Sequence, residues 1–410
     1  MSNDVKVAKT IADKIDQLSV ELRKLSLGIH EHPELRFEEK YAHEVLTKFM
    51  ESKGFKVTPH YKDLDTAWLA TFKHGSGGRN LGFNSEMDAL PGIGHACGHN
   101  LIAIGGVAAA LGVAEAMKEH DIAGTVTLLG TPAEEGGNGK CILLERGAYE
   151  GIDACLMIHP CPGPENWHGA GSCLARAQVE AEYIGHTAHA AFAPWDGRNA
   201  LDAAVIAYNA ISVLRQQIKP TSRVHGSLEG RDWTPNVVPD YAKMSYYVRT
   251  PRYQELNEIM PKIKNCLKAG ALATSCEIQL SEHGMMYDLL PNNPLAEEYK
   301  KICEEQFGQK VDLGPAGFFG ASTDFGNVTH ALPGLHPVYA IPTKPGGGNH
   351  NPLFTAAAAT PEAHAATLIA AKSIAITGMK VLTDAVFAAQ VTESFKQDLK
   401  RMAEEFPEAQ

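Results

Sequence analysis

No run of about 18 consecutive apolar residues occurs in this 410-residue chain, so nothing in the sequence reads as a membrane span. The N-terminal stretch MSNDVKVAKTIADK mixes both charge signs and lacks the apolar segment of a signal peptide. Positive charge is also in deficit. The 37 Lys and Arg face 48 Asp and Glu, and the formal net charge of −11 argues against nucleic acid or a membrane surface as partner. A small anionic substrate is not excluded, because a local basic patch could still hold it. Eight scattered cysteines without a secretory signal do not form a disulfide framework, which points to a reducing, cytoplasmic compartment. Cys141, Cys155 and Cys266 read as buried small hydrophobes. No strand–GxGxxG–helix opens the chain, so a dinucleotide-dependent redox enzyme is disfavoured, and Gly75-Ser76-Gly77-Gly78 reads as a hairpin or loop.

What is present fits an ordinary globular protein, with 44% apolar and 21% charged residues. The length exceeds what one hydrophobic core supports, so two domains are expected. Helical spacing covers 8–26 and 38–53, followed by strand-like runs at Lys56–Pro59, Ala67–Phe72 and Asn80–Asn84. An Ala/Gly/Leu-rich buried helix over 100–118 precedes apolar strands at Thr125–Leu129 and Ala154–Ile158. Strands alternating with helices predict an α/β fold with a mostly parallel sheet flanked by helices. From about 176 the pattern changes to alternating segments (Gln178–Tyr183, Tyr241–Val248, Cys276–Leu280) separated by helical ones at 198–218 and 252–270. That β-α-β-β-α-β order predicts an inserted ferredoxin-like α+β domain over 176–287, within a metal-binding catalytic domain of 1–175 and 288–410.

Candidate ligands recur just after buried strands: Glu86 and Asp88, Cys97 and His99, Glu134 and Glu135, then His159. In a doubly wound sheet such strand ends converge, so groups distant in sequence can meet around a metal. A lone C-x-H reads as a buried cysteine beside an incidental histidine. Here two histidines, a cysteine and two glycines crowd into Gly94-His95-Ala96-Cys97-Gly98-His99, which favours thiolate and imidazole ligands. Adjacent Glu134 and Glu135 repel unless cations neutralise them; one can bind metal while the other deprotonates water, the alternative being a solvated acidic turn. His159 reads equally as ligand or core histidine, and His350 as ligand or surface-loop residue. Arg249 suggests a substrate carboxylate, with a surface salt bridge as the alternative.

Taken together the motifs resemble the M20 metallopeptidase family over nearly the whole chain. They are Gly28–Leu35 (GIHEHPEL), Met87–Pro91 (MDALP), His95–His99 (HACGH), Glu134-Glu135-Gly136, Gly185–Ala191 (GHTAHAA), Asn236–Pro239 (NVVP) and Ser322–Phe325 (STDF). More narrowly the chain looks like the aminoacylase-like amidohydrolase branch. The string GIGHACGHN points to the subgroup of M20 domain-containing protein 2, whose members act on dipeptides such as β-alanyl-lysine.

The resemblance implies a zinc-peptidase-like catalytic domain whose inserted domain serves as lid and dimerisation surface. It also implies two divalent ions, with zinc the first expectation and manganese the alternative. Cys97, His99, Glu135, His159 and His350 match the family's metal ligands, Glu134 its general base, and Asp88 the carboxylate that orients a ligand. His189 matches a lid histidine that reaches the partner's active site in family homodimers; Asn236 and Arg249 match lid groups that hold the substrate. The implied reaction is hydrolysis of the amide bond of a dipeptide or N-acyl amino acid by metal-activated water. Deacetylation or deamination of a small metabolite, or a silent metal- or peptide-binding module, are the rivals. Two departures stand out: Asn100 where many relatives have Asp, and Glu86 where the wider family has a metal-binding histidine, so Glu86 is not counted among the ligands.

Overall fold

A computed structural model describes residues 3–314 and 320–407. Among them the chain divides into two compact units. The first takes in residues up to Ser172, 289–314 and Asp324–Glu405; the second takes in Cys173–Asp288 and Gly320–Thr323.

The first unit is α/β. Its main sheet has six strands in the order Lys56–Pro59, Trp68–His74, Gly124–Thr131, Arg79–Glu86, Ala154–Leu156 and Gly334–Leu335. The central pairings are parallel, and Trp68–His74 runs antiparallel to both of its neighbours. Gly124–Thr131 lies between Trp68–His74 and Arg79–Glu86, so Gly75–Gly78 is a crossover loop and not a hairpin turn. The helix His99–Glu119 is apolar on nearly every side and almost wholly buried between this sheet and the helices Asn3–Gln17 and Pro361–Thr383. Its close approach depends on glycine: a Cβ on Gly106 would lie 2.4 Å from Ser85 Oγ and 2.6 Å from the Asn84 carbonyl oxygen. This helix and Pro361–Thr383 are long and apolar enough to cross a membrane by length and composition, but both are largely packed in the core of this unit.

Two expected elements are broken, the second of them beside the site. The helix expected over 8–26 is two, Asn3–Gln17 and Ser19–Glu31, meeting at Leu18. The strand expected over Ala154–Ile158 ends at Leu156, and the chain then enters a second, four-stranded sheet as His159–Pro162. Parallel pairing of Ala154–Leu156 with Gly334–Leu335, and of His159–Pro162 with Val338–Ile341, runs through the switch. It sets His159 and His336 side by side, with ring centroids 5.8 Å apart.

The second unit is a four-stranded antiparallel sheet in the order Glu277–Met286, Ala175–Ile184, Tyr241–Thr250, Arg223–Gly230. Two helices, Ala200–Leu214 and Tyr253–Thr274, share its own hydrophobic core with one sheet face. This is the ferredoxin-like arrangement. Burial alternates along the whole of Tyr241–Thr250 and along Ala175–Ile184 from Ala177 onward, the period of a half-buried strand. The edge strand Arg223–Gly230 is almost entirely exposed, and so carries no such alternation.

The eight cysteines are free. Cys155 is buried as expected, whereas Cys141 and Cys266 are only half-buried.

Candidate metal centre and active site

Asp88 organises the site of the first unit. It follows the strand Arg79–Glu86, and its Oδ1 lies 3.1 Å from His99 Nδ1 while also accepting the Glu134 backbone N–H at 3.1 Å. Its Oδ2 accepts the Glu135 N–H at 2.9 Å. One buried carboxylate thus orients the His99 ring and the turn bearing both glutamates. A carboxylate behind a histidine fixes the tautomer and leaves the far nitrogen free to ligate. That nitrogen, His99 Nε2, is buried and has no hydrogen-bond partner.

His159 is arranged the same way. Its Nδ1 faces the Pro160 carbonyl oxygen at 2.8 Å, so Nδ1 carries the proton and Nε2 points a lone pair at Cys97 Sγ, 3.4 Å away. Cys97 and His99 reach the site from the turn that opens His99–Glu119. There Gly98 adopts φ +80°, and a Cβ on it would meet Pro160 Cγ at 2.6 Å. His350, exposed and itself left-handed at φ +64°, is tethered by its backbone N–H to the Ala96 carbonyl at 2.8 Å. Its Nε2 lies 3.2 Å from Glu135 Oε1.

These contacts resolve into two triads of potential ligands, Cys97–His99–His159 and Cys97–Glu135–His350, within each of which the ligand atoms lie within 4.8 Å of one another. Cys97 is common to both. Glu134 joins His99 and Glu135 in a third such group. The donor set fits divalent ions: thiolate, imidazole and carboxylate suit zinc, and the shared thiolate suits a bridge between two ions. The orphaned buried atoms Glu86 Oε2 and His99 Nε2 agree with that fit.

The electrostatics keep protons on several of these groups: despite burial, Glu86 and Asp88 hold His99 well above its ordinary range. Burial pushes the Glu134 carboxyl well above its ordinary range, helped by Glu86, Glu135 and Asp324. Glu135 is held below its ordinary range despite burial by the His350 and His99 rings. Burial, with Glu135 adding to it, raises the Cys97 thiol far above normal. His159 is lowered by burial to about 4 and therefore stays neutral, as a ligand must. His95, beside the ligands in sequence, is lowered by burial to about 3, and its Nε2 faces the Ile29 carbonyl at 3.1 Å; it shapes the turn.

The remaining expected residues lie in the second unit. His189 is exposed, and its Nδ1 accepts the backbone N–H groups of Ala191 at 3.3 Å and Phe192 at 3.1 Å. The ring proton is therefore on Nε2, which is presented as a donor. Asn236 is beside it: His189 bridges to Val237, and the Asn236 carbonyl accepts the Ala190 N–H at 3.0 Å. Arg249 is apart from that pair, on Tyr241–Thr250, and donates to Ser322 Oγ at 2.6 Å.

Comparison with known proteins gives the chain its family. The profile of peptidase family M20/M25/M40 matches residues 82–372. The chain is 40% identical over 415 aligned residues to the human Xaa-Arg dipeptidase, covering 96% of this chain and 92% of that protein. The chain belongs to peptidase family M20/M25/M40. It is also 32% identical to a p-aminobenzoyl-glutamate hydrolase chain of Escherichia coli, over 65% of this chain and 58% of that protein. Among solved structures, a dinuclear metal-binding peptidase of the M20 family from Bacillus subtilis superposes with a TM-score of 0.68 at 20% identity, covering 90% of this chain and 99% of that one. As a member of the M20 family the chain is a hydrolase of peptide or amide bonds.

Within this M20 site, several functional neighbours were not singled out from the sequence. Lys140, fully buried, donates from Nζ to Glu86 Oε1 at 2.6 Å and to Asp324 Oδ1 at 2.7 Å. Asp324 lies in the STDF motif, but nothing local signals the role of Lys140, since the residue it neutralises is 54 positions away. His336 is buried against His159 and Phe325, and burial lowers it to about 3. A signal for it did exist: like His159-Pro160 it stands as His336-Pro337 at the end of a buried strand. Asn100, the departure from Asp, donates through Nδ2 to Ser26 Oγ at 2.9 Å and the Ala358 carbonyl at 3.1 Å, which makes it a packing group behind the site.

Proposed function

We propose that this chain is a cytoplasmic, homodimeric dipeptidase that hydrolyses the amide bond of a dipeptide or N-acyl amino acid, with Glu134 as the general base. The observation that carries the reading is the pair of triads sharing Cys97, with the Glu134 carboxylate against the His99–Glu135 side of them. Cys97, His99, Glu135, His159 and His350 would hold two divalent ions, zinc in preference to manganese because of the thiolate. Bound there, the ions would make a water acidic enough to ionise near neutral pH and would polarise the scissile carbonyl.

The chain's own residues do the rest. Glu134 takes the proton of the attacking water and returns it to the leaving nitrogen, which an amide requires because its bare anion leaves poorly. Asp88 acts through others, holding the His99 ring and the backbone of both glutamates in place. His189 offers Nε2–H to the oxygen of the scissile carbonyl, Asn236 holds the substrate, and Arg249 takes its carboxylate. Support for these three roles is their match to the lid motifs and, for His189, the tautomer set by two backbone donors.

The human and mouse relatives are named for dipeptides ending in arginine. We therefore place a basic residue at the leaving position. A panel of dipeptides and N-acyl amino acids, assayed with metal analysis and identification of the amine released, tests this. Release of free arginine or lysine from Xaa-Arg or Xaa-Lys, at rates well above those for neutral dipeptides, is the expected result. Release of acetate or ammonia only, from small metabolites, would replace it with the deacetylase or deaminase reading.

A further inference from the structure

Glu86 ends the strand Arg79–Glu86 with no exposed surface, and its two oxygens have different surroundings. Oε1 accepts from Lys140 Nζ at 2.6 Å. Oε2 has no hydrogen-bond partner and lies 3.4 Å from His99 Nε2, which has none either. Lys140 is fixed in turn, because Asp324 accepts from its Nζ at 2.7 Å and from its backbone N–H at 2.8 Å. The carboxylate is therefore pinned by one oxygen while the other faces the nitrogen that His99 offers as a ligand.

Leaving a buried polar atom unsatisfied costs about 1–3 kcal/mol, and more for a charged group. When His99 is neutral with its proton on Nδ1, as a metal ligand must be, its Nε2 lone pair faces the Glu86 carboxylate oxygen, and two such acceptor atoms call for a cation between them. Their 3.4 Å separation matches adjacent corners of a tetrahedron whose bonds are about 2.0–2.2 Å long, the range for nitrogen and carboxylate oxygen on zinc. Cys97 Sγ and His159 Nε2 are separated by the same 3.4 Å. Glu86 also forms a potential metal group with Glu134 and Asp324. Lys140 Nζ already satisfies two members of that group, so it does not call for an ion of its own.

We propose that Glu86 is an additional ligand of the ion held by His99, and that Lys140 and Asp324 are the positioning residues that turn its Oε2 towards that ion. The proposal rests on the two-ion reading of the site and adds to it an anionic oxygen that the five expected ligands do not include.

The test uses full-length protein reconstituted with Co²⁺, comparing native with Glu86→Gln. In that variant the side-chain amide oxygen stays with Lys140 Nζ, so the amide nitrogen, which has no lone pair to offer, faces His99. The native protein is expected to bind two Co²⁺ and show a charge-transfer band from the Cys97 thiolate. Glu86→Gln should keep that band, alter the d–d bands, and weaken one of the two ions about tenfold or more by chelator competition. Unchanged d–d bands overturn the proposal whether or not affinity falls, because a group that only positions His99 would leave the coordination intact. Absence of the thiolate band from the native protein would instead remove the two-ion reading itself. If Glu86→Gln does not fold, Glu86→Leu/Lys140→Met/Asp324→Asn removes all three buried charges together and is read the same way.

Discussion

Glu134 and Glu135 are adjacent in sequence but meet different surroundings. Glu135 faces His350 Nε2 at 3.2 Å and belongs to a ligand triad with Cys97, whereas Glu134 lies among carboxylates and against His99. That difference supports the proposed roles, Glu135 as ligand and Glu134 as base. Glu134→Gln keeps the shape of the side chain and the backbone bond to Asp88, so metal content should remain native while kcat falls by about 10²–10⁴. Steady-state kinetics beside metal analysis checks it; turnover near native would remove Glu134 from the base role. Glu39 gives a second prediction at this scale. Burial, with Asp88 adding to it, raises its carboxyl from 4.5 to about 7, although it accepts Thr66 Oγ1–H at 2.6 Å and the Ala133 N–H at 2.9 Å. The folded protein therefore binds a proton more tightly than the unfolded chain, and this contribution to stability is complete below pH 4.5 and lost as pH rises to about 7. Glu39→Gln has no such loss, so its stability relative to native should rise by up to about 3 kcal/mol between pH 5 and pH 8. Denaturant titrations of both proteins at the two pH values measure that difference, and a constant difference would refute it. Cys97, His99, Glu134 and Glu135 were legible in the sequence because they sit in dense local motifs. Lys140 and Glu39 were not, because their partners lie 184 and 94 positions away and burial alone gives them meaning.

Among the elements, the helix His99–Glu119 joins packing to chemistry, since its first turn carries a candidate ligand and its body lies on the sheet that carries Glu86. An α-helix this apolar on all sides is readable from its Ala/Gly/Leu content, and it was expected one residue from its observed ends. What composition cannot show is how near it lies to the sheet. Gly106→Ala would drive a methyl group into Ser85 Oγ and the Asn84 carbonyl, where backbone cannot yield, costing about 1–3 kcal/mol. Thermal unfolding should show a lowered midpoint with metal content retained; an unchanged midpoint would mean that the helix shifts without loss. Strands were legible in proportion to their burial pattern. Tyr241–Thr250 alternates along its whole length and was found, while Arg223–Gly230 offers one buried residue in eight and was missed. The change of sheet after Leu156 was also invisible, because Met157 and Ile158 are as apolar and buried as the strand they follow.

At the scale of the whole molecule, the chain has two hydrophobic cores, one per unit, and the expected site residues are divided between them. The first unit assembles every candidate ligand together with Glu134 and Asp88; the second holds His189, Asn236 and Arg249. The sheet of the first unit brings its strand-end ligands together irrespective of sequence distance, and that convergence was readable once the strands were placed. No sequence pattern reports which copy of the second unit serves a given metal centre. Subunit complementation does. His189→Ala should lower kcat by about 10²–10³ with metal retained, since it removes one donor to the developing oxyanion. It cannot restore a centre that lacks Glu134. If each centre draws His189 from the partner subunit, a mixed dimer of His189→Ala and Glu134→Gln contains one centre with both Glu134 and His189. A statistical mixture should then recover about a quarter of native activity, half the molecules being mixed and each having one of two centres intact. If His189 serves its own chain, every centre in the mixed dimer lacks one group, and activity stays at the level of the two mutants averaged. Mixing under conditions verified to exchange subunits, for example by native mass spectrometry of differently tagged chains, therefore separates the two arrangements.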